Sequence, residues 1–243
     1  MAKIKWVFFD CMETIIEVKK VPDQRLYALW AFWGSKIENF WNGFSEFFDE
    51  YMIATRMLEE KYGPYKEYGL EERFDLIVSR LPGVETVQQV KILSRKLQGN
   101  YWVNYKKNCY VKKELPRVLR FIQENFSLGI VSNFKKPGGV RELLETHELI
   151  SFFSFLVTSI GMGWKKPHPK IYEEALKKAG AKPDEVVFVG DNFSCDYSGP
   201  KELGMKSILL DRENRYENMQ SRISCIEELS GIFSQVIGEN KKG

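Results

Sequence analysis

The sequence predicts a doubly wound α/β sheet that is interrupted, after its first strand, by an all-helical second domain. Two observations predict it. Five short apolar runs, rich in β-branched or aromatic residues, alternate with helix-patterned segments. One long interval, residues 18–109, has no obvious strand and carries a sustained helical spacing of apolar residues instead.

The runs are Trp6–Phe9, Leu128–Val131, Phe155–Val157, Val186–Val189 and Ile208–Leu210. They are continuous rather than alternating, as expected for strands covered on both faces of a parallel sheet. Pro116–Asn125 reads as a helix because proline suits the first turn and Val118, Leu119, Phe121 and Ile122 follow at helical spacing. Val140–Glu148 is a second helix, and Pro169–Ala179 a third that stops at Gly180. Strands alternating with helices in this way make βαβ units.

In the interval, apolar residues recur alternately four and three apart from Leu26, Trp30, Trp33, Ile37 and Phe40 to Leu58. That spacing predicts one continuous helical face, or two helices in line if Gly34 or Gly43 interrupts it. Its aromatic content reads as the core of a small domain. Further helices are expected at 70–80 and 85–98. The predicted organisation is a core domain of residues 1–17 and 110–243 and a helical domain of residues 18–109. The tail after about residue 238 is expected to fray.

The chain has 243 residues, long enough for a large core without disulfides or a structural metal. Lys and Arg total 36 against 33 Asp and Glu, a net charge of +3. That balance excludes a disordered chain and argues against a dedicated nucleic-acid binder. The four cysteines form no CxxC pair, so neither a zinc site nor a disulfide scaffold is expected. No run reaches the roughly 18 apolar residues of a membrane helix, and the N-terminus lacks the pattern of a secretory signal. The expectation is a cytoplasmic protein, monomer or homodimer, with no nucleic-acid or membrane partner.

Ligands of open α/β sheets bind at the carboxyl ends of the strands. Asp10 follows the first run and Ser132, with Asn133, the second. After the third, a loop leads to Lys165-Lys166-Pro167. Gly190-Asp191 and then Asp196 follow the fourth. Carboxylates, a hydroxyl and an ammonium at one rim suit phosphate chemistry. The acids offer hard oxygen ligands to Mg²⁺, the lysine neutralises a phosphoryl group, and one carboxylate can attack it.

These segments, with GWKKPHPKIY followed by VGDNFSCD as the specific signal, resemble the haloacid dehalogenase superfamily of hydrolases. The helical insertion sits where that superfamily places a first cap domain. The resemblance implies Asp10 as a nucleophile that forms an aspartyl intermediate, with Thr14 fixing the loop. It implies Ser132 and Asn133 on the substrate, with the Ser132 hydroxyl on phosphoryl oxygens, and Lys166 stabilising the charge. Mg²⁺ would be held by Asp10, the Met12 carbonyl and Asp191, with Asp196 binding it directly or orienting its waters. The substrate would be a small phosphorylated metabolite, selected by the cap.

One departure stands out. Phosphatases of the superfamily usually carry a second Asp two positions after the nucleophile, as proton donor and then base. Here that position is Met12. Glu13, where the family often has Gly, is adjacent but expected to point elsewhere rather than to substitute. The gap opens two alternatives: a metal-independent 2-haloacid dehalogenase using Asp10, or a weakly active binding module of the same fold. Single residues have structural alternatives too. Asp10 could shape a turn, Ser132 could cap the next helix, and Asp196 could serve only a helix N-terminus. His168 is expected to be structural and His147 to lie on a helix surface. Cys11 and Cys195 read as buried, inert thiols.

Overall fold

The computed structural model describes residues 3–240, and they form two compact units. One runs up to Glu17 and resumes at Tyr110; the other is Val18–Cys109.

The first unit is built on a six-stranded, fully parallel sheet. Its strands are β1 (Trp6–Phe9), β4 (Ser127–Ser132), β5 (Phe155–Thr158), β6 (Val186–Gly190), β7 (Lys206–Leu210) and β8 (Arg222–Ile223), in the order β5-β4-β1-β6-β7-β8. Phe9 lies opposite Ile130 on one side and Val189 on the other. This register brings the residues after β1, β4 and β6 to one rim. Four of the five apolar runs are strands buried almost throughout, while β5, at the sheet edge, is only partly covered. Phe8, Val131, Val157 and Phe188 share a core with Ile171, Tyr172 and Ala175 of a helix.

The helices of this unit are α5 (Leu115–Gln123), α6 (Gly139–Thr146), α7 (Ser159–Met162), α8 (Pro169–Ala179), α9 (Gly199–Glu202) and α10 (Leu229–Asn240). The bounds of α8 coincide with those predicted: Pro169 opens it, His168 Nδ1 accepts from the Lys170 amide, and Gly180 closes it in the left-handed conformation at φ 59°. His147 is not inside a helix; it caps the C-terminus of α6, half-buried.

Several short elements escaped the sequence pattern, and so did α10. β8 has only two residues, too few for any periodicity. α10 contains Gly231 and Gly238, and its stability comes from tertiary partners. Leu229 and Phe233 are fully buried, and Phe233 packs on Phe126 with ring centroids 5.3 Å apart. The expected fraying is overturned for residues 238–240. Asn240 exchanges two hydrogen bonds with the backbone of Ile4, 2.9 and 3.1 Å, which ties the end of α10 to the chain just before β1. Residues 241–243 of the expected frayed tail lie outside the described residues.

The second unit holds α1 (Gln24–Phe32), α2 (Phe44–Tyr62), α3 (Leu70–Ser79) and α4 (Val87–Asn108). The apolar stripe is divided between α1 and α2, which pack against each other rather than continuing in line. Both glycines interrupt it, Gly34 at φ 92° and Gly43 at φ 107°, and Trp33 and Phe40 of the predicted stripe are exposed. A side chain from α4 fixes where α1 ends. The Asn100 amide donates to the carbonyls of Trp30, Ala31 and Trp33, 2.7–3.0 Å, satisfying groups that a helix end leaves orphaned.

The aromatics form the core of this unit. Trp30 meets Tyr101 and Tyr105 edge-on, and Phe32 packs on Phe47 at 5.0 Å. α4 runs ten residues beyond its expected end because Tyr101, Trp102 and Tyr105 are buried, with Thr86 and Gln89 forming a capping box at its start. The interval is also not wholly without strand: β2 (Glu17–Val18) pairs with β3 (Cys109–Tyr110) at its two borders. Among the described residues no helix is long and apolar enough to cross a membrane.

Candidate active site

Asp10 is the first residue after β1, and its amide donates to the Val189 carbonyl at 2.9 Å, continuing the pairing of β1 with β6. The next residues double back in a tight turn. The Cys11 carbonyl accepts from the amides of Ile15 and Ile16, and the Glu13 amide donates to the Ile16 carbonyl. Glu13 sits in the left-handed region at φ 55°, a conformation that costs a side-chain-bearing residue about 1–2 kcal/mol. This explains why a glycine suits the position, and it fixes the backbone around Met12.

Asp191 follows β6, and Asp196 lies in the π-helical turn Phe193–Ser198 beyond it. One carboxylate oxygen from each of Asp10, Asp191 and Asp196 lies within 4.8 Å of the others. Lys166, in the loop between α7 and α8, reaches into this group. Its Nζ donates to Asp10 Oδ1 and Asp196 Oδ1, both at 2.6 Å. Lys166 is 3% exposed and Asp196 1%. Burial works against the lysine's charge, but the two facing carboxylates outweigh it and push its pKa up. The acids are strained in the opposite sense. Burial first, and then like charge from Asp10, hold Asp191 above the ordinary carboxylate range. Asp196 is also held above it by burial, with Lys166 opposing and Asp10 adding to the shift. Three carboxylates against one ammonium leave a formal charge of −2 in a buried rim.

The remaining predicted residues are brought to the same rim in different roles. Ser132 ends β4; its hydroxyl is buried with no hydrogen-bond partner. It is not a helix cap, since Gly138 precedes α6. The Asn133 side chain spans the lysine loop: its oxygen accepts from the Lys166 amide at 2.7 Å and its nitrogen donates to the Lys166 carbonyl at 2.9 Å. The Thr14 hydroxyl donates to Asp191 Oδ1 at 3.4 Å. Asp196 Oδ2 accepts from the Asn192 amide at 2.9 Å, so both its oxygens have partners. Glu13 is half-buried on the turn after Asp10. Cys11 is buried as expected, but Cys195 is only half-buried; even so, burial pushes its thiol up to about 11.

Three groups were missed from sequence. The Arg212 guanidinium donates to the Glu13 carbonyl and, at 2.8 Å, to Glu17 Oε1; the Tyr110 hydroxyl donates to Glu17 Oε2 at 2.6 Å. Arg212 lies two residues past β7, so strand-end reasoning applied to the fifth run would have found it. Nothing in the sequence signals its partners.

The backbone under Asp196 leaves no slack. A Cβ on Gly190 would stand 2.5 Å from the Asp196 carboxyl. Gly190→Ala is therefore expected to displace Asp196 from Lys166, lowering turnover by about 10²-fold, as steady-state assays would read.

The family model for haloacid dehalogenase-like hydrolases matches residues 4–204, a range that spans the acid after β1, the hydroxyl at the end of β4, the lysine before α8 and the two acids after β6. The chain belongs to the haloacid dehalogenase-like hydrolases. Among its relatives in this family, haloacid dehalogenase-like hydrolase domain-containing protein 3 of Homo sapiens is 41% identical over 83 residues. That match covers 34% of this chain and only about a third (32%) of the human protein's length. Glyceraldehyde 3-phosphate phosphatase of Pyrococcus furiosus is 29% identical over 213 residues, 86% of this chain and 81% of that one. Among solved structures, a 2-haloacid dehalogenase from Pseudomonas syringae aligns over 96% of this chain and 99% of that one, with a TM-score of 0.71 at 18% identity, a likeness of fold.

Proposed function

We propose that this hydrolase cleaves a small phosphomonoester, Mg²⁺-dependently, through an aspartyl-phosphate on Asp10. The observation that carries the proposal is the cluster of three carboxylates and one lysine, buried except for a half-buried Asp191; the cluster's formal −2 charge matches a dication. The phosphatase-named relative of similar length supports it.

The residues fit the ion. All the candidate donors are hard oxygens, the set Mg²⁺ prefers. Asp10, Asp191 and the Met12 carbonyl would hold it; Asp196, with both oxygens engaged, suits orienting its waters. When bound, the ion would supply positive charge against the phosphoryl oxygens.

The chain's own groups account for the rest. Lys166 holds one oxygen of Asp10, leaving the other to attack phosphorus. A bond from Asp10 to phosphorus forms as the bond to the leaving oxygen breaks. Lys166 remains charged and offsets the phosphoryl group's negative charge. The orphaned Ser132 hydroxyl donates to a phosphoryl oxygen, which accounts for a buried polar atom otherwise without a partner. Asn133 acts by fixing the lysine loop. Water then cleaves the aspartyl-phosphate, restoring the carboxylate and releasing phosphate.

Met12 has no proton to give the leaving oxygen, and a general acid is worth about 10²–10⁴ in rate. Substrates whose leaving groups need no proton, aryl and acyl phosphates, are therefore expected to outrun alkyl phosphates by at least about tenfold in kcat. Equal rates in a matched series would show that another group supplies the proton.

The test of the function is Mg²⁺-dependent release of p-nitrophenol from its phosphate. Chloride release from 2-chloropropionate without metal would instead support a dehalogenase, and silence on both a binding module. A screen of phosphorylated metabolites with and without Mg²⁺ then selects the natural substrate.

A further inference from the structure

We infer that Arg212 is a positioning residue for the nucleophile turn, holding Glu13 in its left-handed conformation and thereby setting the backbone of Met12 and Thr14. The inference rests on the proposed phosphatase reading for its kinetic consequence, but not for its structural one.

The turn from Asp10 to Ile16 is closed by backbone bonds, but one of its residues is in a conformation its side chain disfavours. Left to itself, Glu13 at φ 55° would be drawn back toward negative φ. A charge-assisted hydrogen bond from Arg212 to the Glu13 carbonyl opposes this, because the carbonyl meets the guanidinium only when the peptide is turned that way.

Arg212 is itself fixed. Its other terminal nitrogen is bound to Glu17, a carboxylate only 7% exposed, which also accepts from Tyr110 and faces Lys112 Nζ at 3.4 Å. The guanidinium thus joins the apex of the turn, at Glu13, to Glu17, just beyond its end. Thr14, between them, donates to Asp191. Moving the apex moves the Met12 carbonyl and Thr14 together, and with them the setting of Asp10 against Asp191. Small displacements of reacting groups cost about 10²-fold in rate.

The test compares the wild-type protein with Arg212→Gln, with Arg212→Lys, and with Arg212→Gln combined with Glu13→Gly. Glycine adopts φ 55° at no steric cost, so it should restore the turn without the arginine. Two readouts are taken: Mg²⁺-dependent hydrolysis of p-nitrophenyl phosphate, and hydrogen exchange of the metal-free protein over residues 10–17.

For Arg212→Gln, kcat is expected to fall at least about tenfold with KM within about threefold, and residues 10–17 to exchange faster while β4 and β6 keep their protection. Arg212→Lys, with one donor group, should fall between. Adding Glu13→Gly should recover at least about threefold of the lost kcat and part of the protection. Unchanged exchange over 10–17 in Arg212→Gln overturns the inference. So does a failure of Glu13→Gly to rescue, or loss of protection across the whole sheet, which would make Arg212 a general staple. A wild-type protein without phosphatase activity would sink the functional reading alone; the exchange measurements would still decide the role of Arg212.

Discussion

Replacing Lys166 by methionine is expected to lower the melting temperature of the metal-free protein by roughly 6–20 °C. The lysine is the only cation hydrogen-bonded to Asp10 and Asp196 among the described contacts, and it is buried with them. Removing one partner of a buried ion pair costs about 3–5 kcal/mol, because the acids are left desolvated and facing each other. For a chain of this size each kcal/mol is worth about 2–4 °C. The loss should be smaller when Asp196→Asn accompanies Lys166→Met, since one of the uncompensated charges has gone. It should also shrink in Mg²⁺, because an ion that binds only the folded state stabilises it. Turnover should fall about 10²–10³-fold with the lysine's charge removed from the phosphoryl group. Scanning calorimetry of the single and double variants, with and without Mg²⁺, checks the first effect. A single variant that melts with the wild type would mean that the three acids do not depend on the lysine for compensation.

Asp10→Asn carries the larger kinetic effect and the smaller structural one. Asparagine keeps the shape of the side chain but cannot form the acyl-phosphate, so Mg²⁺-dependent hydrolysis should fall by about 10³-fold or more. The fold should hold. Asp10 is one of the like charges that push Asp191 and Asp196 upward, so its neutralisation relieves repulsion while Lys166 keeps Asp196 as a partner. The melting temperature is therefore expected to stay within about 3 °C of wild type without metal, and the rise on adding Mg²⁺ to be smaller than wild type shows. Rapid-quench experiments with radiolabelled acetyl phosphate offer a second check: wild type should trap an acid-stable phosphoprotein and the variant none. Retained turnover in Asp10→Asn would move the nucleophile elsewhere.

The two variants separate functions that lie within 2.6 Å of each other. On the proposed reading, Lys166 would serve both folding and catalysis as the counter-charge of the acids it pairs with. Asp10 would serve catalysis at the expense of the neighbouring acids, which it makes harder to ionise. A site whose charges are this poorly balanced without a cation is the physical basis for expecting metal dependence.

What could be predicted from sequence were the elements whose environment is uniform. Trp6–Phe9 and Val186–Val189 are apolar throughout because both faces of a central parallel strand are covered, and that requirement is written residue by residue. Once those strands are located, topology places whatever follows them at one rim, so Asp10, Ser132, Asp191 and Asp196 could be named as a group. β8 and α10 could not, because two residues have no period and a glycine-containing helix depends on Phe126 and Ile4 for its support. The aromatic stripe from Leu26 to Leu58 announced helices and offered Gly34 or Gly43 as a break, but left one helix or two in line open; the end of α1 is capped by Asn100 on a distant helix.

Within the site the division is the same. The sequence by itself determined which chemical groups stand at the ends of the strands, because strand order and burial are encoded in local apolar pattern. Only the tertiary structure decided their pairings: Asn133 on the lysine loop rather than facing outward, Asp196 bound at both oxygens, Arg212 on the carbonyl of a left-handed Glu13. Apart from the Asn192 amide on Asp196, four positions away, those pairings join residues between 30 and 199 positions apart. A hydrogen bond across such a separation leaves no periodicity in the chain; it exists only where folding brings a donor and an acceptor to within 3 Å.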